Sequence, residues 1–172
     1  MMFSFVVLSV ISILIVFSIA NEKITVLSNR VEDSLVSSTL AGATVDLKRY
    51  ATDGKIVNIE DEGLRESYKN FKSTLQSNMN LNGDFKVKKE SLIKSKIDID
   101  DFIVYSKLDN QIYENKVHEN FIDKKKINLS AKTPNGKNID DTTVYSKISF
   151  TINILGKDYR VHKSTSVKVT DK

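Results

Sequence analysis

Hydrophobic and polar positions divide this chain into stretches with different periods. Between Met1 and Ala20 every side chain is apolar except Ser4, Ser9, Ser12 and Ser18, and none is charged. As a helix this stretch reaches about 30 Å, the thickness of a bilayer's hydrocarbon core. Serine hydroxyls can bond to carbonyls one turn back, and β-branched Val and Ile are no handicap where the backbone must bond to itself. No second run of comparable length follows, so a multi-spanning protein is excluded. The expected reading is a transmembrane or signal-anchor helix over residues 1–20. A cleaved secretory signal is the alternative, with the small residues Ser18 and Ala20 before the cleavage point. Against cleavage stand the length of the apolar run, the lack of a Lys or Arg ahead of it and the lack of a helix breaker near its end.

The helical pattern continues past Ala20 as an amphipathic segment, residues 21–51. Ile24, Leu27, Val31 and Leu35 recur on one face, while Asn29, Arg30, Glu32 and Asp33 take the other. The stripe then passes through small residues, ending in Ala41 and Gly42, and reaches Val45. One helix to about Tyr50 is expected, with the stretch 37–43 open to close approach by a sheet or another helix. Thr52-Asp53-Gly54-Lys55 marks a turn. A second helix is expected over 61–80, opened by the acids Glu60, Asp61 and Glu62. Its stripe is Leu64, Tyr68, Phe71, Leu75 and Met79, and Asn80, Asn82 and Gly83 end it. That stripe should lie on a sheet.

After Gly83 the period drops to two. Phe85 and Val87 alternate with Lys86 and Lys88; Phe102-Ile103-Val104-Tyr105 reads as a central strand, with Gln111-Ile112-Tyr113 as its return. A short strand is expected at 127–132, then a turn at Pro134-Asn135-Gly136-Lys137. The clearest β signal comes last. Val144, Ser146, Ile148, Phe150, Ile152 and Ile154 share one face of a strand. After a turn at Leu155-Gly156-Lys157-Asp158, Tyr159, Val161, Thr165, Val167 and Val169 share a face of its partner. Polar residues on the other face (Ser149, Thr151, Asn153, Arg160, His162, Lys168) predict an antiparallel sheet wet on one side. Helices first and strands afterwards make the fold class α+β, with residues 52–172 as one α+β domain.

Composition narrows the chemistry. All 26 basic and 22 acidic side chains follow Ala20. With 172 residues and no Cys, one domain is expected, and disulfide scaffolds and Cys-ligated metals are excluded. His118 and His162 are far apart in sequence and lack metal-ligand spacing. Asp98, Asp100 and Asp101 interleave with Ile97 and Ile99 without the glycine a calcium loop needs, and read as the charged start of a strand. Gly42, Gly54, Gly63, Gly83, Gly136 and Gly156 are isolated, so no phosphate loop forms, and no nucleophile motif occurs. No catalytic residue, cofactor or metal is expected. The basic runs Lys86/Lys88/Lys89 and Lys124-Lys125-Lys126 are candidates for an anionic polymer, but acids are interspersed and the net charge is only +4. Solvated faces and edge protection explain them better, and no specific nucleic acid is expected.

An apolar helix at Phe3–Ala20, running without a break into the small-rich stretch Arg30–Ala43 and then an antiparallel β domain, resembles a type IV pilin or pseudopilin. More narrowly it is similar to the TadE-like minor pilins of tight-adherence (Flp-type) systems in bacteria. The resemblance implies a membrane-anchored structural subunit of a bacterial pilus or secretion-type assembly. Its partners would be the membrane and other pilin-like subunits or pilus assembly proteins. The bulk of the chain would lie outside the cytoplasm, incorporated in a surface appendage. Ile24, Leu27, Val31, Leu35, Ala41, Gly42 and Val45 would pack helices and subunits. Many such subunits carry Glu at the fifth position of the mature helix; Phe5 stands here, which points to a minor or non-polymerising subunit, or to no pilin at all. The alternative is a single-pass envelope-anchored or secreted binding module that does not polymerise.

Overall fold

The computed structural model describes residues 2–43, 60–89, 91–108 and 111–169. Among the described residues, two helices, α1 (Met2–Gly42) and α2 (Asp61–Asn78), precede five strands: β1 (Asp98–Leu108), β2 (Gln111–Val117), β3 (Ile122–Ile127), β4 (Thr143–Ile154) and β5 (Lys157–Lys168). All neighbouring strands are antiparallel, in the order β3-β2-β1-β4-β5. The fold is therefore α+β, as the order of periods predicts.

The 41 residues of α1 extend about 60 Å without a break. The helix reaches Gly42; its predicted extension to Tyr50, the position of Val45, the Thr52–Lys55 turn and the 51/52 domain boundary lie outside the described residues. The second half of α1 belongs to the domain's own core. Val31 and Leu35 are fully buried and join Leu64, Phe71 and Leu75 of α2 with Phe102, Val104, Val144, Ile148 and Phe150 of the sheet.

The α2 stripe packs as predicted, with Leu64, Phe71, Leu75 and Met79 buried and Tyr68 half-buried. Its main neighbour is α1 rather than the sheet. It reaches the sheet through an aromatic cluster: the Phe71 and Phe102 rings are 4.9 Å apart and those of Tyr68 and Phe102 are 5.4 Å apart. Asn80 ends the helix. It adopts the left-handed region (φ 53°), its N–H bonds to Ser77 O at 3.1 Å, and Leu81 N–H bonds to Gln76 O at 2.8 Å, a Schellman closure.

Phe85 and Val87 do not form a strand ladder. The Asn82 side-chain carbonyl accepts the N–H groups of Asp84 (3.0 Å) and Lys86 (2.9 Å), curling the backbone into a turn. Phe85 goes to φ 61° and packs against the core from there, leaving one bridge between Leu81 and Val87. The strand predicted at 127–132 lies earlier, at Ile122–Ile127, and contains Lys124, Lys125 and Lys126. It forms one edge of the sheet, where lysines oppose pairing with another chain. The 131–139 segment is a small closed loop with a Lys132–Asn138 bridge, and Gly136 at φ 83° makes the predicted turn.

The sheet is not simply wet on its second face. Ile103, Tyr105, Ile112, Ile139 and Tyr145 form a second buried cluster there, bordered by Ile127 and Ala131. Burial pushes the Tyr105 hydroxyl far above its ordinary range, with Glu114 adding to it. The polar remainder of that face is a network. Arg160 donates to Asp98 (2.7 Å) and to Ser149 Oγ (2.7 Å), while Ser149 donates to Asp100 (2.8 Å). His162 projects outward beside Asp100, with Nδ1 3.4 Å from the carboxylate.

The β4–β5 hairpin closes through Leu155 and Gly156, at φ 49° and 82°. Turns of this kind favour Asn-Gly. A leucine in the left-handed region costs about 1–2 kcal/mol, and this one is also 57% exposed.

Candidate functional site

The first half of α1 is the most unusual surface in the molecule. It is long and apolar enough to cross a membrane, and its most apolar 18-residue window is 0% buried within the protein. Phe5, Leu8, Leu14 and Phe17 are among its exposed side chains. The serines stay compatible with hydrocarbon by bonding inward: Ser9 and Ser12 donate to Phe5 O and Leu8 O, each at 2.9 Å. A contiguous apolar surface of this size on an isolated chain marks contact with lipid or protein.

Further along, the same helix enters the domain through small residues. Thr39 Oγ1 lies 2.5 Å from Ser146 Oγ of β4 and donates to Leu35 O at 2.7 Å. Ser38 Oγ donates to Ser34 O. At Gly42 an added Cβ would sit 2.8 and 2.9 Å from atoms of the Phe102 ring and 3.2 Å from Phe71 Cβ. The small stretch thus admits the sheet and α2 together. Lys163 of β5 reaches back to Ser28 Oγ (2.9 Å) and Glu32 (3.6 Å), so the strand also grips the polar flank of α1.

The predicted packing residues separate. Val31 and Leu35 are buried inside the chain's own core and Gly42 against the aromatic cluster; Leu27 is half-buried at the margin of the core, and Ile24 and Ala41 are half-buried. Exposed apolar side chains on the opposite side of the helix are Val26, Val36 and Leu40, which a search for the strongest stripe passes over because Asn29 and Asp33 interrupt them.

Where α1 leaves its apolar half, two clefts lined by described residues lie between it and the sheet domain. One of about 750 Å³ is lined by Glu22, Lys23, Val26, Arg30, Leu92 and Lys94 among others. One of about 270 Å³ is lined by Val16, Ile19, Ala20, Leu92, Ile154 and Leu155 among others. Backbone bonds fix the domain side of both: Lys94 N–H to Thr151 O (2.8 Å) and Asn153 N–H to Leu92 O (2.9 Å).

The acidic cluster holds cations of the chain itself. Asp98 pairs with Arg160 and Lys96, and Asp101 with Lys116. The Arg160 hydrogen bond is the largest cause holding the Asp98 carboxyl below its ordinary range; burial, the next largest, opposes it, and Lys96 adds to the lowering. His118 stacks on Phe121. Among the described residues no group of three or more metal-ligating side chains comes together, and no buried side-chain polar atom lacks a partner. Comparison with protein-family models, with curated proteins and with solved structures finds no match for this chain.

Proposed function

We propose that this chain is a membrane-anchored structural subunit of the pilin-like kind, a minor pilin or pseudopilin that presents its sheet domain outside the cytoplasm. The observation that supports this reading is the continuity of α1, apolar and unburied in its first half and built into the domain core in its second. Such a helix can be stored in a bilayer and later exchange lipid for neighbouring helices without refolding the domain, since van der Waals fit and small residues replace the lipid contacts. The faces left for neighbours are residues 4–20 and the outward Val26, Val36 and Leu40.

A second reading is a single-pass envelope-anchored or secreted module that binds a partner and does not polymerise. It is favoured by the burial of Val31 and Leu35 within the chain itself, which removes them from any subunit contact. The test is to recover the native protein from sheared-surface, membrane and medium fractions and determine its N-terminus by mass spectrometry. A helix starting near Phe3 in the sheared fraction supports the subunit. The same N-terminus confined to membranes supports the anchored module, and a start at Asn21 in the medium overturns anchoring.

A further inference from the structure

We infer that the membrane-facing end of the sheet domain is a docking surface for anionic phospholipid, formed by the Leu155 hairpin tip, Leu92 and the cations Lys23, Arg30 and Lys94. The inference rests on α1 being a membrane span. It goes further by assigning the bilayer surface as a partner of the globular domain.

Three observations meet at this place. First, the cleft that holds Leu155 and Leu92 is walled on its other side by Val16, Ile19 and Ala20. The hairpin tip therefore stands level with the last turns of the apolar run, within a few ångströms of where the first charges, Glu22 and Lys23, appear. A bilayer's headgroup layer adds several ångströms beyond its hydrocarbon, so a tip at this height enters that layer. Second, among the described residues the adjoining cleft carries three cations, Lys23, Arg30 and Lys94, against one carboxylate, Glu22. That balance suits a lipid phosphate, and long basic side chains can keep their heads among phosphates while their stems lie along apolar surface. Third, the turn places an exposed leucine in a backbone conformation that favours Asn or Gly. A polar residue would suit an aqueous turn; an apolar one suits a turn that lies in the interface. The backbone bonds of Lys94 and Asn153 to β4 and the 91–94 segment hold Leu92 and Lys94 beside that tip.

The sequence contains no Trp, so single tryptophans report cleanly. Full-length Leu155→Trp and Phe17→Trp proteins are reconstituted at one copy per nanodisc, in phosphatidylcholine with or without phosphatidylglycerol. Lipids brominated high on the acyl chain then quench any tryptophan near them. The expected result is quenching at both positions in the anionic discs. At position 155 quenching is weaker in neutral discs, and weaker again when Lys23→Glu and Lys94→Glu are added. Each cation near an anionic surface shifts the docked-to-undocked ratio about fivefold. Quenching at 17 with position 155 open to aqueous iodide overturns the docking surface while leaving the span intact. Shielding at 155 only at two copies per disc also overturns it, in favour of a second copy of this chain. Quenching at 155 indifferent to lipid charge and to both lysine changes overturns the phosphate contact. Absence of quenching at 17 removes the span itself, and the inference with it. Circular dichroism of each variant checks that the fold is retained.

Discussion

The two halves of α1 belong to one helix and one hydrogen-bonded backbone, but their apolar side chains have opposite fates. Leu14 is 63% exposed and Leu35 is 1% exposed. The first half is apolar on every side, so no orientation against a sheet could bury it all. The second has a continuous apolar stripe on one side and a mixed face of polar residues with Val26, Val36 and Leu40 on the other, and it rolls the continuous stripe inward. The breadth of the apolar surface, more than its total hydrophobicity, separates a helix that needs an outside solvent of lipid or protein from one that completes a core.

The sharpest test of that contrast removes the same side chain in each half. Leu35→Ala leaves a cavity beneath α1 and should lower the unfolding free energy by about 2–5 kcal/mol, read from denaturant unfolding of the detergent-solubilised protein. Leu14→Ala should leave domain stability unchanged within about 0.5 kcal/mol. Equal losses in both would mean the halves are not distinct. A charge reverses the pattern. Leu14→Asp should weaken membrane insertion by about 2.5–3.5 kcal/mol, seen as protein shifting from membrane to soluble fractions, while the domain's melting temperature holds.

The boundary between the halves and the core can be sharpened at Gly42. Its Cβ space is filled by the Phe102 ring and Phe71, so Gly42→Ala should cost about 1–3 kcal/mol through overpacking. A melting temperature equal to or above wild type would show that the rings can yield. The smallest effect is expected far from the helix, in the polar network of the second sheet face. Asp98 has its folded pKa lowered by Arg160 and Lys96, so its contribution is complete above the unfolded carboxylate value of about 4. It is lost as pH falls below that value through the folded one. Asp98→Asn should therefore flatten the acid side of the stability curve, by under about 1 kcal/mol for so exposed a pair. An unchanged acid limb would assign the pair no role in stability.

Much of this architecture was legible in the sequence where one period ran for several turns. The Leu64–Met79 stripe, the Phe102–Tyr105 strand and the hairpin through Leu155-Gly156 all declare themselves by spacing. The failures share a physical cause, which is that local pattern does not know its tertiary partners. Ile122–Ile127 is an edge strand whose four middle residues are all charged, so it shows no apolar alternation. Phe85 and Val87 alternate properly but follow Asn82, whose side chain captures the backbone. The second cluster needs Ile139 from a loop to cover Ile103, Tyr105 and Tyr145, a contact no period encodes. The α1 stripe was visible, but whether Val31 and Leu35 face their own sheet or a neighbour was not. The clefts beside Leu155 depend on the 91–94 segment running along β4, which nothing in the spacing announces.

The unbroken course of α1 from Met2 to Gly42 has a mechanical consequence. Anchor and load share a single shaft, with no joint between them. Turning the helix about its axis turns the domain packed on its second half by the same angle, and tilting it swings the sheet as a lever does. Under the proposed membrane span, whatever holds the apolar end of that shaft, lipid or neighbour, also aims the domain at its other end.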